Sequence, residues 1–199
     1  MQIQDFIKYP FKDPLWFKTF LLGCMITVLP GLNIITLGYF VNCIELGYRG
    51  KQTLPGWDSW GEHFRNGAHA FIIILAYLLI PVGLFPILVR LDIIGVYALL
   101  LIILVVGWFI PLALVNYTTT LILRDGFQFN AIFQNGLKIF KEYSPVFIYM
   151  FFISAIATGM VFALPYLSFL GVMLFFYSGV VFFNYVGQLH KGLQGKTFE

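Results

Sequence analysis

The chain has 199 residues, of which 60% are apolar and only 11% are charged, and its formal net charge is +3. A soluble domain of ordinary composition carries about 25% charged residues. This chain therefore lacks the polar side chains needed to cover a water-facing surface, and its small net charge gives no reason to expect nucleic-acid binding. The composition indicates an integral membrane protein whose apolar surface faces lipid.

Six apolar stretches follow one another, at residues 15–29, 32–44, 68–89, 93–123, 145–164 and 166–186. A membrane-spanning helix needs about 20 apolar residues, and the last four stretches reach that length. The first two are shorter. The first pair therefore either spans with the help of flanking residues or enters the bilayer without crossing it.

Short connections divide these stretches into pairs, at Pro30-Gly31, at Arg90-Leu91-Asp92 and at Pro165. Short connections make antiparallel neighbours. The predicted fold is therefore all-α, a polytopic membrane helical bundle in which six membrane helices form three tandem hairpins within one domain of residues 1–199. The hairpins are predicted at about 11–49, 67–124 and 140–191, with interfacial amphipathic joints at about 52–66 and 127–141.

The basic residues are distributed unequally between the two sides of this predicted bundle. With six crossings, both termini and both joints share one side, which holds every Lys and Arg except Arg90: Lys8, Lys12, Lys18, Arg49, Lys51, Arg65, Arg124, Lys138, Lys141, Lys191 and Lys196. Basic residues near membrane spans stay cytoplasmic. We therefore expect a multi-pass protein of the cell membrane (inner or plasma membrane) with both termini in the cytoplasm.

Both joints are amphipathic in pattern. Trp57, Trp60 and Phe64 stand at i, i+3 and i+7 with charged residues between them, which is typical of a helix lying in the membrane interface. The second joint repeats the pattern with Phe129, Ile132, Phe133, Leu137 and Phe140. The joints are predicted to form a cytoplasmic collar that anchors the chain or docks a soluble partner.

An internal repeat supports the three-hairpin arrangement. The pattern F-x-N-G-x-x-x-F begins at Phe64 and again at Phe133, an offset of 69 residues, and Gly38 and Gly107 match at the same offset. Each unit returns to the side on which it began, so the predicted repeats are parallel rather than inverted. Internal repeats are common in transport folds, and they also occur in membrane proteins that transport nothing.

The second helix of each hairpin ends in a polar stripe along one helical face. The stripes are Asn42, Glu45 and Arg49; Asn116, Thr120 and Arg124; and Asn184, Gln188 and Lys191. One interpretation makes the amides hydrogen-bonding contacts between helices, with the long basic side chains reaching the interface. The other makes the stripes a polar vestibule that contacts a ligand or lipid, because polar groups inside a membrane are costly.

Ala155, Gly159 and Ala163 stand four residues apart, a spacing of small residues that allows close helix packing. It favours packing within the bundle, or alternatively an interface with another molecule. Cys24 and Cys43 lie in apolar stretches and are interpreted as packing residues.

No constellation of residues indicates catalysis or a metal site. His63 and His69 fall on different faces of a helix, and the chain has no H-E-x-x-H, C-x-x-C or clustered carboxylates. It also has no phosphate-binding glycine loop and no paired acids for hydrolysis. We therefore expect no enzymatic activity, no metal and no cofactor.

One set of residues resembles a known family. The set consists of Gly38-Tyr39, Arg49-Gly50, Leu54-Pro55-Gly56-Trp57-Asp58-Ser59-Trp60 and Gly67. At these four places the chain resembles a prokaryotic integral membrane protein family of unknown function. Its pattern is G-Y, R-G and L-P-x-W-x-x-W, and the resemblance covers about residues 10–190. It implies a bacterial or archaeal polytopic membrane protein and supplies no activity, substrate or catalytic residue.

These observations favour a non-enzymatic membrane subunit or scaffold that binds membrane lipids, a partner protein or further copies of itself. The alternative is a small permease or channel whose polar pathway is lined by the three stripes. A continuous polar path through the bundle would favour transport, whereas a sealed core with an exposed apolar groove would favour binding.

Overall fold

The computed structural model describes residues 8–51 and 53–195, and in this part of the chain all regular structure is helical. Lys196, one of the predicted cytoplasmic charges, lies outside the described residues, as do positions 1–7 and 52 of the predicted domain. The α-helices are α1 (Trp16–Val28), α2 (Asn33–Arg49), α3 (Trp60–Leu88), α4 (Asp92–Thr120), α5 (Phe129–Lys138), α6 (Phe140–Ala163) and α7 (Ser168–Gly195).

Short 3-10 helices and turns separate these helices where the sequence predicts connections. A turn carrying Gly31 at φ 85° joins α1 to α2, Val89–Leu91 joins α3 to α4, and Pro165–Leu167 joins α6 to α7. Asp92 has φ 48°, a left-handed conformation that interrupts the helical path between α3 and α4. Glycine suits the turn at position 31 because it has no Cβ to clash at positive φ.

The helices on either side of each connection run antiparallel. Thr27 and Thr36 share a hydrogen bond of 3.1 Å across the α1–α2 turn. His69, near the start of α3, lies 2.9 Å from the hydroxyl of Tyr117, near the end of α4. In the third pair, the Tyr185 hydroxyl on α7 donates to the carbonyl oxygen of Glu142 on α6 at 3.1 Å.

Within residues 8–51 and 53–195, three helical stretches are long and apolar enough to cross a membrane: Trp60–Thr120, Phe140–Ala163 and Ser168–Leu193. The first, of 61 residues, comprises α3 and α4, which fold back on each other at Val89–Leu91. Helix α1 is apolar but has only 13 residues, which is about 20 Å at the α-helical rise. The described part of the chain is therefore all-α, and the length and composition of these helices are typical of a membrane protein.

Helix α2 is the centre of the bundle and packs mainly on α3 and α7. Its buried face includes Tyr39, Val41 and Ile44, which are at most 1% exposed. Close contact with α3 depends on two glycines. A Cβ at Gly38 would overlap the carbonyl oxygen of His63, and a Cβ at Gly67 would overlap that of Ile34.

The contact between α2 and α7 also depends on two glycines. A Cβ at Gly47 would overlap the carbonyl oxygen of Asn184, and a Cβ at Gly187 would overlap that of Ile44. Small residues let helix backbones approach closely. The van der Waals contacts made at this distance contribute to helix association in lipid. Glycines therefore allow α2 to approach both α3 and α7 closely.

The first joint differs from the predicted interfacial helix. Residues 53–59 have no helical structure, and α3 begins only at Trp60 and continues unbroken to Leu88. Pro55 and Gly56 explain the difference, because proline disfavours helical conformation in the residue before it and glycine is a weak helix former. Trp57 consequently turns inward and is 8% exposed, whereas Trp60 and Phe64 remain exposed on α3.

The second joint contains a separate helix, α5, which ends one residue before α6. Phe129, Phe133 and Leu137 are exposed on it, while Ile132 and Gly136 face the bundle. A Cβ at Gly136 would lie 2.7 Å from the Trp108 ring of α4. Gly67 and Gly136, which match in the sequence repeat, thus both abut the second helix of the preceding hairpin.

Replacing Gly67 with Ala is expected to destabilise the protein by about 1–3 kcal/mol, because the added methyl group meets rigid backbone rather than a movable side chain. The matched control is Gly83→Ala in the same helix, where the added Cβ has nothing within 4 Å. The free energy of unfolding in mixed micelles, measured by titration with a denaturing detergent, checks this. Equal stability of the two variants would contradict the glycine contact.

Candidate functional site

A buried polar network lies where α2, α3 and the loop before α3 meet. The Asn42 side-chain amide on α2 lies 3.0 Å from Nδ1 of His63 and accepts a hydrogen bond of 3.1 Å from the Asn66 amide. His63 Nε2 lies 2.8 Å from the carbonyl oxygen of Gly56. Because a carbonyl only accepts, Nε2 carries the proton, and Nδ1 accepts from Asn42.

The network continues to α4. Asn66 Oδ1 lies 3.5 Å from the Tyr117 hydroxyl, which in turn lies 2.9 Å from Nδ1 of His69. His63, Asn66 and Tyr117 are buried, and His69 is half-buried. Buried polar groups in a low-dielectric interior need partners. The geometry provides them within the protein, so the network ties three helices together.

The other two residues of the α2 stripe pair with each other. Glu45 and Arg49 form an ion pair of 2.5 Å along the helix. The Arg49 side chain is 58% exposed, so this pair contributes little to stability. Only Asn42 of the three predicted residues on α2 is part of the buried network.

The α4 stripe supports the loop that follows the helix. The Asn116 amide donates to the carbonyl oxygen of Asp125 at 2.6 Å, and the Thr120 hydroxyl accepts from the backbone N–H of Ile122 at 3.2 Å. Arg124 lies within the 3-10 helix Leu123–Phe127 itself. These residues therefore shape a chain reversal between α4 and α5.

The α7 stripe bonds to α2. The buried Asn184 amide donates to the carbonyl oxygen of Cys43 at 3.3 Å, and the Gln188 amide donates to Asn184 Oδ1 at 2.6 Å. The Lys191 ammonium group lies beside Gly50, at the C-terminus of α2, where a positive charge is favoured. Asn42, Asn116 and Asn184 thus have different partners and do not meet at one point.

The aromatic pair Tyr39 and Trp57 fixes the loop before α3. Their rings stack at 4.4 Å with 15° between the planes. The Trp57 indole N–H donates to the carbonyl oxygen of Thr19 on α1 at 3.0 Å. Gly56, the neighbour of Trp57, accepts the hydrogen bond from His63. The L-P-x-W segment therefore joins α1, α2 and α3.

Two further hydrogen bonds hold the N-terminal segment against this loop, and a third fixes the start of α1. The Tyr9 hydroxyl donates to the carbonyl oxygen of Thr53 at 2.8 Å, and burial keeps the pKa of that hydroxyl well above its ordinary value. The Asp13 carboxylate accepts from the backbone N–H groups of Leu15 at 2.8 Å and Leu54 at 3.2 Å. The 3-10 helix Tyr9–Lys12 is thereby fixed beside α1.

The small-residue face of α6 is exposed. Ala155, Gly159 and Ala163 all lie on the surface, and a Cβ at Gly159 would have nothing within 4 Å. The expectation that this face packs within the bundle is therefore wrong. Ala157, two residues from Ala155, faces α7 instead, and its carbonyl oxygen lies against Gly171.

An apolar groove lies between α1, α7 and the 3-10 helix Tyr9–Lys12. Its volume is about 440 Å³, within the range of roughly 300–1,000 Å³ typical of small-molecule sites. Every lining residue is apolar or aromatic, and the side chains used below are Phe11, Trp16, Phe17, Leu21, Met173 and Tyr177. The Phe11 ring packs at 4.9 Å on Trp16 of α1 and at 5.8 Å on Tyr177 of α7, so this residue contacts both walls of the groove.

This groove and the His63–Asn42–Asn66 network were not predicted from the sequence. Two members had a sequence signal, because Asn42 belonged to the α2 polar stripe and Asn66 stood within the F-x-N-G repeat. The groove combines residues 10–24 with residues 169–177, and no local pattern relates segments so far apart. Among the described residues, no three His, Cys, Asp or Glu side chains are grouped so that they could hold a metal.

A protein-family model described as "Protein of unknown function (DUF4013)" matches residues 21–166. The match includes α2 to α6 with the loop that carries Trp57, and thus the whole buried network. No curated protein and no solved structure matches this chain.

Replacing Asn42 with Leu is expected to cost about 1–3 kcal/mol of stability, because it leaves His63 Nδ1 and the Asn66 amide buried without partners. Asn130→Leu, at an exposed position of α5, is the matched control and is expected to change stability by less than about 0.5 kcal/mol. Detergent-titrated unfolding of both variants measures the difference. A loss no larger for Asn42→Leu than for the control would show that the network does not hold the helices together.

Proposed function

The chain belongs to the DUF4013 family of proteins of unknown function, and we propose that it is a non-enzymatic integral membrane subunit or scaffold that binds a lipid chain in the α1–α7 groove. The observation that carries this proposal is the groove itself, an apolar depression with aromatic walls on a protein whose helices are long and apolar enough to cross a membrane.

The groove suits an acyl chain better than it suits a polar ligand. Its lining has no charged side chain, and burial of a polar group there would cost free energy without a compensating hydrogen bond. Leu21 and Phe17 are 43% and 63% exposed, so a chain can enter sideways from the bilayer. Lipid tails are as apolar as these side chains, so binding depends on shape and packing rather than on transfer from water.

The arrangement of polar groups supports binding over transport. The three asparagines that could have lined a common pathway have separate partners. The centre of the bundle is filled with apolar side chains at most 2% exposed, including Ile44, Ala113, Leu114, Val115 and Val186. A permease or channel with a path along the polar stripes would need polar groups around a common space.

We also propose that six membrane helices form three hairpins in a prokaryotic cell membrane, with both termini cytoplasmic. Helices α1 and α2, with 13 and 17 residues, extend about 20 and 25 Å, less than the roughly 30 Å hydrocarbon core. The first hairpin therefore enters from the cytoplasmic side and its turn at Gly31 stops within the bilayer. Arg90 at the α3–α4 turn reaches the opposite face.

Labelling of single introduced cysteines tests this topology. In intact cells, a membrane-impermeant maleimide is expected to label Arg90→Cys and to leave Gly31→Cys unlabelled, because only the longer hairpin reaches the outer surface. Both positions are exposed on the protein, so a difference reports depth in the membrane. Labelling of Gly31→Cys as fast as Arg90→Cys would show that the first hairpin spans fully.

Filling the groove tests lipid binding. Leu21→Trp places a larger side chain in the groove, and the number of phospholipids retained in native mass spectrometry is expected to fall by one per protein. The matched control is Leu75→Trp, at a similarly exposed position of α3 (49% against 43%) outside the groove. Equal retention by the two variants would overturn the proposal of a lipid in the groove.

A further inference from the structure

We propose that the groove selects an anionic phospholipid, and that Lys8 and Lys18 provide the charge that recognises its headgroup. This inference rests on the proposed function, because it assigns the chemical class of the lipid held in the groove. Since the acyl chains of different phospholipids are chemically alike, an apolar groove cannot distinguish one headgroup class from another. Any selectivity must come from polar groups beside the groove.

Two basic residues, Lys8 and Lys18, stand within two positions along the chain of residues that line the groove. Lys8 directly precedes the 3-10 helix Tyr9–Lys12, whose Pro10 and Phe11 line the groove. Lys18 follows the lining residue Phe17 on α1. Both lysines are exposed, and a lysine can extend its apolar stem along the groove while its ammonium group reaches the membrane interface.

The acidic residue of the same segment is already committed to backbone bonds. Asp13 lies between Lys8 and Lys18 in the chain, and its two carboxylate oxygens accept the N–H groups of Leu15 and Leu54. Its charge is thus engaged in fixing the N-terminal segment. The segment from Lys8 to Lys18, with Lys12 included, therefore carries three positive charges against one negative charge.

This charge lies on the side of the bilayer that the basic residues assign to the cytoplasm, where anionic lipids attract basic segments. A phosphodiester anion at Lys8 and Lys18 would place its glycerol backbone near Phe11, and one acyl chain would run past Trp16 and Leu21. The groove provides the apolar contact and the lysines provide the headgroup contact.

The experiment compares retention of two lipids with identical acyl chains, phosphatidylglycerol and phosphatidylcholine, by the full chain in native mass spectrometry. The native chain is expected to retain phosphatidylglycerol at least about fivefold more than phosphatidylcholine, the effect of one basic residue near an anionic headgroup. The double variant Lys8→Gln/Lys18→Gln is expected to lose this preference and to retain the same total number of lipids. Lys8→Arg/Lys18→Arg is expected to keep the preference, which should weaken with added salt.

The matched control is Lys138→Gln/Lys141→Gln, which removes two exposed lysines far along the chain from the groove-lining residues of the N-terminal segment and should leave the preference unchanged. An equal loss in the control, or a preference that survives in Lys8→Gln/Lys18→Gln, would overturn the headgroup assignment. The absence of any preference in the native chain would overturn it as well. Leu21→Trp separates the two proposals: if it leaves the total lipid count unchanged, lipid binding in the groove itself fails.

Discussion

The close approach of α2 and α3 at Gly38 and Gly67 is the constraint on which the rest of the structure depends. Each glycine lies against a backbone carbonyl of the other helix, so the interface has no room for a side chain at either position. The same approach places Asn42 within hydrogen-bonding distance of His63 and Asn66. The free energy of this contact comes from packing and from satisfied buried polar groups, because lipid offers no hydrophobic drive for helix association.

The groove is a consequence of how the N-terminal segment attaches to this centre. Trp57 stacks on Tyr39 of α2 and donates to α1 at Thr19, and Asp13 holds the start of α1 against the loop residue Leu54. Helix α1 is thus positioned by a loop as well as by packing, and it has 13 residues beside the 28 of α7. A short helix bound in this way does not cover the whole of α7, and the groove is lined on that side by residues that include Met173 and Tyr177.

Much of the fold could be predicted from the sequence because apolar runs and turn residues are local signals. The helices α3, α4, α6 and α7 and the connections at Gly31, Val89–Leu91 and Pro165–Leu167 lie where the sequence indicated them. The buried position of Trp57 could not be predicted, because its i, i+3, i+7 relation to Trp60 and Phe64 suggested a helix that Pro55 and Gly56 prevent. The network and the groove depend on contacts between distant segments, for which the spacing of residues along the chain gives no rule. The exposure of Ala155, Gly159 and Ala163 could not be predicted for the same reason. Their spacing indicates a face suited to close packing but does not identify the helix that would pack on it.

The central claim is that a phospholipid chain occupies the space beside Trp16. Quenching of tryptophan fluorescence by a phospholipid brominated midway along its acyl chains measures that contact directly, with Trp16→Phe separating Trp16 from the other three tryptophans. We expect the native chain to be quenched more than Trp16→Phe, and brominated phosphatidylglycerol to quench Trp16 at a lower mole fraction than brominated phosphatidylcholine does. Equal fractional quenching of the native chain and Trp16→Phe by both lipids would contradict it.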